Sequence, residues 1–135
     1  MKKCFSLLCL TVSMTLLFCG CRLIRIEEEN PAPLSYTIIN QENIPKEAEQ
    51  LIEEKKEKEF QLTYQSGEEL YLVKGYGRQM SGGYSIAVEV LGETENAVIF
   101  RTTLIGPPDL SQSNEPSYPY IVAKIKYTEK PVMFD

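Results

Sequence analysis

The chain turns at Gly75-Tyr76-Gly77-Arg78-Gln79-Met80-Ser81-Gly82-Gly83-Tyr84-Ser85-Ile86, a glycine-rich stretch between two segments with the character of β-strands. Residues 70–73 precede it, and residues 84–90 follow it with alternating apolar and polar side chains, the period of a half-buried strand. Glycine adopts positive φ without a steric penalty, so the stretch predicts a tight turn whose flanking strands pair as a hairpin. The loop between these strands is also a candidate surface for recognition.

Length and composition restrict the classes of function. The chain has 135 residues, which indicates one domain, and 43% of them are hydrophobic, enough for an ordinary globular core. The net charge of −5 argues against nucleic-acid binding, because phosphate neutralisation requires a basic surface. The absence of histidine excludes Ser-His-Asp and Cys-His catalysis and histidine-containing zinc sites. We therefore predict no cofactor, no metal ion and no nucleic-acid partner.

The first 21 residues have the pattern of a secretory signal. Lys2 and Lys3 are followed by an uncharged, largely apolar segment that extends to Cys21. Its end, Leu17-Phe18-Cys19-Gly20-Cys21, resembles a bacterial lipoprotein signal, in which the cysteine after a small residue becomes diacylated. We expect residues 1–20 to be removed and Cys21 to carry a palmitate-type anchor on the extracytoplasmic face of the cell membrane. An uncleaved transmembrane anchor and a plain secreted form are the alternatives.

A spacer and a single folded domain are predicted after the lipidated cysteine. Residues 21–34 contain Glu27-Glu28-Glu29 and two prolines, the composition of a solvated, semi-extended linker. Residues 35–135 are then predicted to form one domain. The spacer would hold that domain away from the membrane surface.

One helix and a series of short strands are predicted in the domain. Pro45 begins the helix, and an apolar stripe at helical spacing is formed by Ile44, Ala48, Leu51 and Ile52. The charged run of residues 53–59 is interpreted as the continuation of this helix with a solvated surface. Strands are predicted at residues 35–39, 60–65, 70–74, 84–90, 97–104, 120–127 and 131–134.

These elements predict an α+β fold that is mainly β. Connections of hairpin length favour antiparallel pairing, and strands with one apolar face must bury it. We therefore expect a small antiparallel β-sandwich or partial barrel, with one N-terminal helix covering an end or an edge. In residues 84–90 the even-numbered side chains, Val90 included, are predicted to share one face. Lys124 and Lys126 are interpreted as the wet side, or a protected edge, of their strand. Residues 106–119 are predicted to form a long loop.

Three motifs in sequence order resemble a known family. They are Gly77-Arg78-Gln79-Met80-Ser81-Gly82-Gly83-Tyr84-Ser85-Ile86, Gly106-Pro107-Pro108 and Tyr118-Pro119-Tyr120-Ile121-Val122. Together they resemble the C-terminal domain of the protease complex subunit PrcB, over roughly residues 60–128. Met80 stands where the family pattern usually has proline. The resemblance implies a small secreted lipoprotein that acts as a non-catalytic component of a surface protease complex, and it supplies no catalytic residues.

The loop tip is the predicted site of protein binding. The candidate residues are Arg78, Gln79, Met80, Ser81 and Tyr118, and the long loop that contains Tyr118 is expected to lie beside the tip. The predicted partner is a surface or secreted protein, and the resemblance implies that this partner is a protease. A peptidase inhibitor similar to the chagasin type and a structural envelope lipoprotein without a defined ligand are the alternatives.

Two pairings that would support catalysis are present in the sequence. Ser81 with Lys74 or Lys124 would form a serine–lysine pair, and Glu89 with Glu93 would form paired carboxylates. No sequence spacing requires either arrangement. The chain is therefore predicted not to be an enzyme.

Overall fold

Two four-stranded sheets stack face to face in the computed structural model, which describes residues 30–109 and 114–135. One sheet has the strand order β1-β5-β6-β8 and the other β2-β7-β4-β3. The strands are β1 (Ala32–Pro33), β2 (Thr37–Ile38), β3 (Glu59–Ser66), β4 (Glu69–Tyr76), β5 (Ser85–Glu93), β6 (Val98–Ile105), β7 (Tyr120–Lys126) and β8 (Val132–Phe134). Helix α1 spans Lys46–Lys55, after a 3-10 turn at Gln41–Asn43. The predicted α+β sandwich with one helix is confirmed.

The space between the sheets holds the main hydrophobic core. The buried side chains that face each other there are Leu70, Leu72, Ile121, Ala123 and Ile125 from one sheet, and Leu91, Val98 and Phe100 from the other. Phe134 of β8 packs against them with its ring 5.9 Å from that of Phe100, in a tilted geometry that favours aromatic pairs. Alternation of apolar and polar residues along each strand is what directs these side chains inward.

Helix α1 covers the outer face of the β2-β7-β4-β3 sheet. Its buried residues Ala48 and Ile52 pack with Tyr71, Val73 and Val122 from the two central strands of that sheet. The expectation that the helix covers an end or an edge was therefore wrong, since a sheet that is apolar on both faces needs cover on both. The predicted apolar stripe is otherwise present, except that its member Leu51 is exposed.

The helix is shorter than its charged run predicts. It ends at Lys55, and Glu59 is already the first residue of β3. Pro45 precedes the first helical residue with an extended ψ of 139°, so it occupies the N-cap position, where its carbonyl accepts a hydrogen bond from the Glu49 amide at 2.9 Å. The connection between α1 and β3 is short, and β3 runs antiparallel to the helix. Tyr64, near the end of β3, therefore lies close to the first helical turn, where its hydroxyl donates a hydrogen bond to Glu47.

The glycine-rich stretch does not connect paired strands. It leads from β4 in one sheet to β5 in the other, so the predicted hairpin at this position was wrong. The physical reason is distance, because stacked sheets lie about 10 Å apart and a two-residue turn cannot span them. The hairpins are instead β3–β4 and β5–β6, and within the part of the chain that the structure describes all strand pairs but one are antiparallel. The parallel pair is β6–β8, which places the predicted terminal strand at a sheet margin.

A bulge in β5 redirects the end of that strand. The pairing with β6 shifts between Val88 and Val90, and Val90 opposes the exposed Arg101. Leu91 takes the next position in the core. The prediction that Val90 continues the face of Val88 was therefore wrong, because one extra residue reverses the alternation.

Two further assignments differ from the sequence predictions. β7 lies between β2 and β4, so of the two interpretations of Lys124 and Lys126 the protected edge was wrong. Lys126 is exposed, as a wet side requires, and the partly buried Lys124 forms an ion pair with Glu69 at 3.4 Å. Ala32 and Pro33, which the sequence assigns to the spacer, pair with β5 as β1. The signal segment, Cys21 and the spacer up to residue 29 lie outside the described residues.

Candidate functional site

A short antiparallel bridge joins the glycine-rich loop to the long loop before β7. The Gln79 amide donates to the Ser117 carbonyl at 2.8 Å, and the Ser117 amide donates to the Gln79 carbonyl at 3.0 Å. The Ser117 hydroxyl also donates to the Ser81 carbonyl at 2.6 Å. We name this unit, residues 77–81 with residues 117–119, the two-loop platform. The expectation that the long loop lies beside the tip is confirmed.

The base of the platform is fixed to the end of α1 and the start of β3. Gly77 has φ of +75°, and a Cβ built there would lie 2.9 Å from the Glu59 backbone nitrogen. Glycine is therefore required at this position for both conformation and space. The next residue, Arg78, donates its backbone N–H to the Glu57 carbonyl at 3.1 Å. Residues 56–59, 77–81 and 117–119, which are distant in sequence, therefore meet at the platform.

Met80 projects from the platform into solvent. It is 79% exposed, the most exposed of the large hydrophobic side chains that stand out on the surface. Arg78 beside it is also exposed, whereas Gln79 and Ser81 are partly buried and hold the loop through hydrogen bonds. An exposed thioether on a hydrogen-bonded loop provides an adaptable apolar contact without the entropy cost of ordering the backbone.

Tyr118, in the second loop of the platform, is in contact with a cation. The Lys56 ammonium lies 4.9 Å from the centroid of the Tyr118 ring, within the range of a cation–π interaction. The same ammonium forms an ion pair with Glu53 at 2.8 Å, and this hydrogen bond raises the pKa of Lys56. Lys56 is therefore fully charged at neutral pH.

An open depression of about 350 Å³ borders Tyr118. It is lined on one side by the segment that enters β7, including Pro119 and Tyr120, and on the other by the segment that follows β2, including Ile39 and Asn40. The Tyr76 amide donates to the Pro119 carbonyl at 3.0 Å and holds this segment against the end of β4. The depression gives a partner a recess beside the second loop of the platform, at Tyr118 and Pro119.

Lys74 and Ser81, which were considered as a catalytic pair, form hydrogen bonds with different groups. The Lys74 ammonium, whose side chain is 9% exposed, bonds the Glu59 carboxylate at 2.7 Å. It also lies 5.3 Å from the centre of the Tyr76 ring. The Ser81 hydroxyl donates to the Gly82 carbonyl at 3.3 Å. The geometry gives Lys74 a role in joining β3 to β4 inside the sandwich.

The two carboxylates on β5 are likewise held by separate partners. Glu89, at the bulge, accepts a hydrogen bond from the Thr103 hydroxyl on the outer face of its sheet. Glu93 forms an ion pair with Lys130 at 3.2 Å. Each carboxylate connects β5 to a neighbouring segment.

Ser117 of the platform, and Lys56 and Glu57 that contact it, were not predicted from the sequence. Lys56 and Glu57 lie in the charged run that was interpreted as a solvated helix surface, and Ser117 lies in a loop of polar and proline residues. No periodicity distinguishes them from their neighbours. Only the proximity of the two loops, which the sheet topology creates, gives them their contacts.

Two features that suggest particular functions do not occur among residues 30–109 and 114–135. No helix in these ranges has the length and apolar character needed to cross a membrane. The same ranges contain no cluster of three or more cysteine, aspartate or glutamate side chains arranged to hold a metal ion.

Residues 70–126 match the family model described as PrcB C-terminal. The resemblance to this family is therefore confirmed, although the matched segment is shorter than the one predicted. The segment contains the central strands of both sheets and both loops of the platform, and excludes α1 and β3. A search of curated proteins and a search of solved structures each returned no match.

Proposed function

We propose that this protein is a non-enzymatic, membrane-anchored lipoprotein that binds a surface or secreted protein through the two-loop platform. The observation that carries the proposal is Met80, held 79% exposed on a loop that hydrogen bonds fix to a second loop. Both loops lie inside the segment that matches the PrcB C-terminal family. On the basis of that match, we propose a protease complex as the assembly to which the protein contributes.

The chemistry of the platform suggests the surface that it would bind. Met80 is an exposed apolar side chain with the exposed Arg78 two residues before it, and the charged Lys56 lies against the ring of Tyr118, which borders a recess lined by both polar and apolar groups. A complementary surface has a central apolar contact and acidic groups around it, the usual arrangement of a hot spot with a polar rim. The acidic rim would determine the rate of encounter more than the final affinity.

Crosslinking in intact cells tests the binding site. Tagged protein should capture a specific partner, and the double variant Arg78→Ala and Met80→Ala should reduce its recovery about tenfold or more, as for hot-spot residues. The matched control is Met133→Ala with Lys126→Ala, which removes an exposed methionine and an exposed cation elsewhere. Mass spectrometry identifies the partner. Unchanged recovery with the platform variant would contradict the assignment.

The thermal stability of the platform variant should equal that of the wild type, because both side chains are exposed. A fall in the melting temperature with unchanged binding would assign these residues to the fold. An inhibition assay with a papain-type peptidase distinguishes the inhibitor alternative, since the proposed accessory protein should leave such a peptidase active.

Metabolic labelling tests the membrane anchor. We propose that Cys21 is diacylated, so a palmitate analogue should label the wild-type chain and not Cys21→Ala. Several acyl chains on one residue would hold the protein on the membrane, since one chain alone binds only marginally. Equal labelling of both chains would contradict the proposed lipidation.

A further inference from the structure

β3 is a long strand with a free edge. All eight of its residues, Glu59–Ser66, pair with β4, and no other strand in the described ranges pairs with its opposite side. The other sheet margins are short, since β1 and β2 have two residues each and β8 has three. An unpaired edge of this length presents a row of backbone N–H and C=O groups to another strand.

The features that usually protect such an edge do not occur in β3. Residues 60–65 contain no proline and no charge, and their register with β4 is continuous, so no bulge turns the edge away. The single charged residue of the strand, Glu59, is held by Lys74 from the neighbouring strand. One face carries the apolar row that packs toward α1, and the other carries polar uncharged side chains.

We propose that β3 pairs with β3 of a second copy of this chain, antiparallel and about a two-fold axis at Leu62. In this register Leu62 lies opposite Leu62 of the second copy, and Phe60 lies opposite Tyr64. On the other face Gln61 lies opposite Thr63, so like groups meet like groups and no two charges of the same sign meet. The joined sheet has eight strands.

The alternative register about Thr63 is less favourable. It would place Phe60 opposite Ser66 and lose the aromatic pair that Phe60 forms with Tyr64 in the register about Leu62. Moving the axis by one residue shifts the pairing by two, so the apolar side chains stay on one face in both registers, and the aromatic pair decides between them. The pattern of β3 therefore selects one self-complementary register.

Helix α1 leaves the edge of β3 open in this arrangement. The helix runs opposite to β3, as the contact between Tyr64 and Glu47 shows. Its buried residues Ala48 and Ile52 pack over the central strands at Tyr71, Val73 and Val122. In the proposed dimer the two helices therefore lie on the same side of the joined sheet and antiparallel to each other, with the paired β3 strands between them.

Disulfide crosslinking of the full chain in intact cells tests the register. Directly opposed residues of an antiparallel pair have Cα atoms about 4.5 or 5.5 Å apart, within the reach of a disulfide. Leu62→Cys should therefore give a covalent dimer on mild oxidation, above the background from the native cysteines of the wild type. Chains with Gln61→Cys and with Thr63→Cys should crosslink when produced together, and either chain alone should crosslink several-fold less.

Lysine substitutions test the edge without cysteine chemistry. The double variant Gln61→Lys and Thr63→Lys places like charges opposite each other and should convert the dimer to a monomer by light scattering of the full chain in detergent. The control Ser85→Lys and Thr103→Lys changes two exposed residues of the other sheet and should stay dimeric. Circular dichroism should show an unchanged fold for both variants.

Three results would overturn the proposal. The wild type would be monomeric at every concentration, Leu62→Cys would crosslink to a different protein, or the single Gln61→Cys chain would crosslink as well as the mixture. The second result would show that a strand from another protein occupies the edge. Dimerisation is independent of the two-loop platform, so Arg78→Ala with Met80→Ala should leave it unchanged.

Discussion

The two sheets of this protein are covered differently. The β2-β7-β4-β3 sheet is buried on one face by the second sheet and on the other by α1, whereas the β1-β5-β6-β8 sheet has only its inner face in the core. The difference is visible in single strands. Six consecutive residues of β4 are buried, but burial in β6 alternates between Phe100, exposed Arg101 and buried Thr102. The number of layers around a sheet therefore determines the burial pattern of each strand.

Substitutions at two neighbouring residues of β4 and at two neighbouring residues of β6 should show the largest contrast in unfolding free energy between the two sheets. Leu72 and Val73 are both fully buried, on opposite faces of one strand, so Leu72→Ala should cost about 2–5 kcal/mol of unfolding free energy and Val73→Ala about 2 kcal/mol. In β6, Phe100→Ala should cost about 3–5 kcal/mol, whereas Arg101→Ala should cost no more than about 1 kcal/mol. Urea unfolding followed by circular dichroism measures all four changes.

A small effect of Val73→Ala would contradict the assignment of α1 to the outer face. A large effect of Arg101→Ala would show that the outer face of the β1-β5-β6-β8 sheet is also covered. Either result would remove the contrast between the two sheets.

Breaking one ion pair in each sheet should give a smaller difference in unfolding free energy than the core substitutions do. Glu59→Gln leaves the Lys74 ammonium, which is almost fully buried, without its carboxylate and should cost about 1–3 kcal/mol. Asp135→Asn removes the partner of Arg101 in a pair whose side chains are both largely exposed, and should cost less than about 1 kcal/mol. Thermal unfolding at low and high salt measures both changes.

Adding Lys74→Met to Glu59→Gln should restore most of the lost stability, because the double variant no longer buries an unpaired charge. If the double variant is less stable than Glu59→Gln alone, the ammonium is held by groups other than Glu59. The pair would then not explain how β3 is attached to β4.

The smallest expected effect concerns Tyr120, on the face that α1 covers. Burial, with the nearby charges of Glu53 and Glu49, raises the pKa of Tyr120 above its ordinary value of 10.0. The unfolded chain therefore loses this proton first. The stability that the raised pKa of Tyr120 contributes is complete below about pH 10, and it is lost as the pH rises toward the folded-state pKa.

Tyr120→Phe should reduce the steepness of this alkaline loss. Unfolding free energies of the wild type and the variant, measured from pH 8 to pH 11, should differ by a constant amount below about pH 9. Above about pH 10 the wild type should fall more steeply. Parallel curves over the whole range would show that Tyr120 ionises equally in both states.

The sequence was sufficient to predict the fold class, helix α1 and every strand except β1. The alternation in β3 and β6 and the apolar stripe with Ala48 and Ile52 depend on local periods, which survive in any tertiary context. The partners of the strands were less predictable, because the stretch after β4 has the same glycine content whether it joins two paired strands or crosses between sheets. The bulge at Glu89 was also not visible, since it depends on the register with β6.

The candidate site was predictable only in part. The exposure of Met80 follows from its place in a glycine-rich loop, and the family resemblance directed attention to the same segment. The contribution of Lys56 and Ser117 depends on contacts between segments more than 35 residues apart, which no local pattern contains. The role of Arg78 in binding and the lipidation of Cys21 stay predictions.

The bridge between Gln79 and Ser117 has a practical consequence for engineering. It fixes the far end of the segment that leaves β6 at Ile105, so both ends of residues 106–116 are anchored. Because the entropy of loop closure grows only by about 0.6 kcal/mol for each doubling of length, a reporter peptide inserted here should be tolerated. A fluorophore attached beside Ser117, which the bridge holds against the Met80 loop, would report the arrival of a partner at the platform.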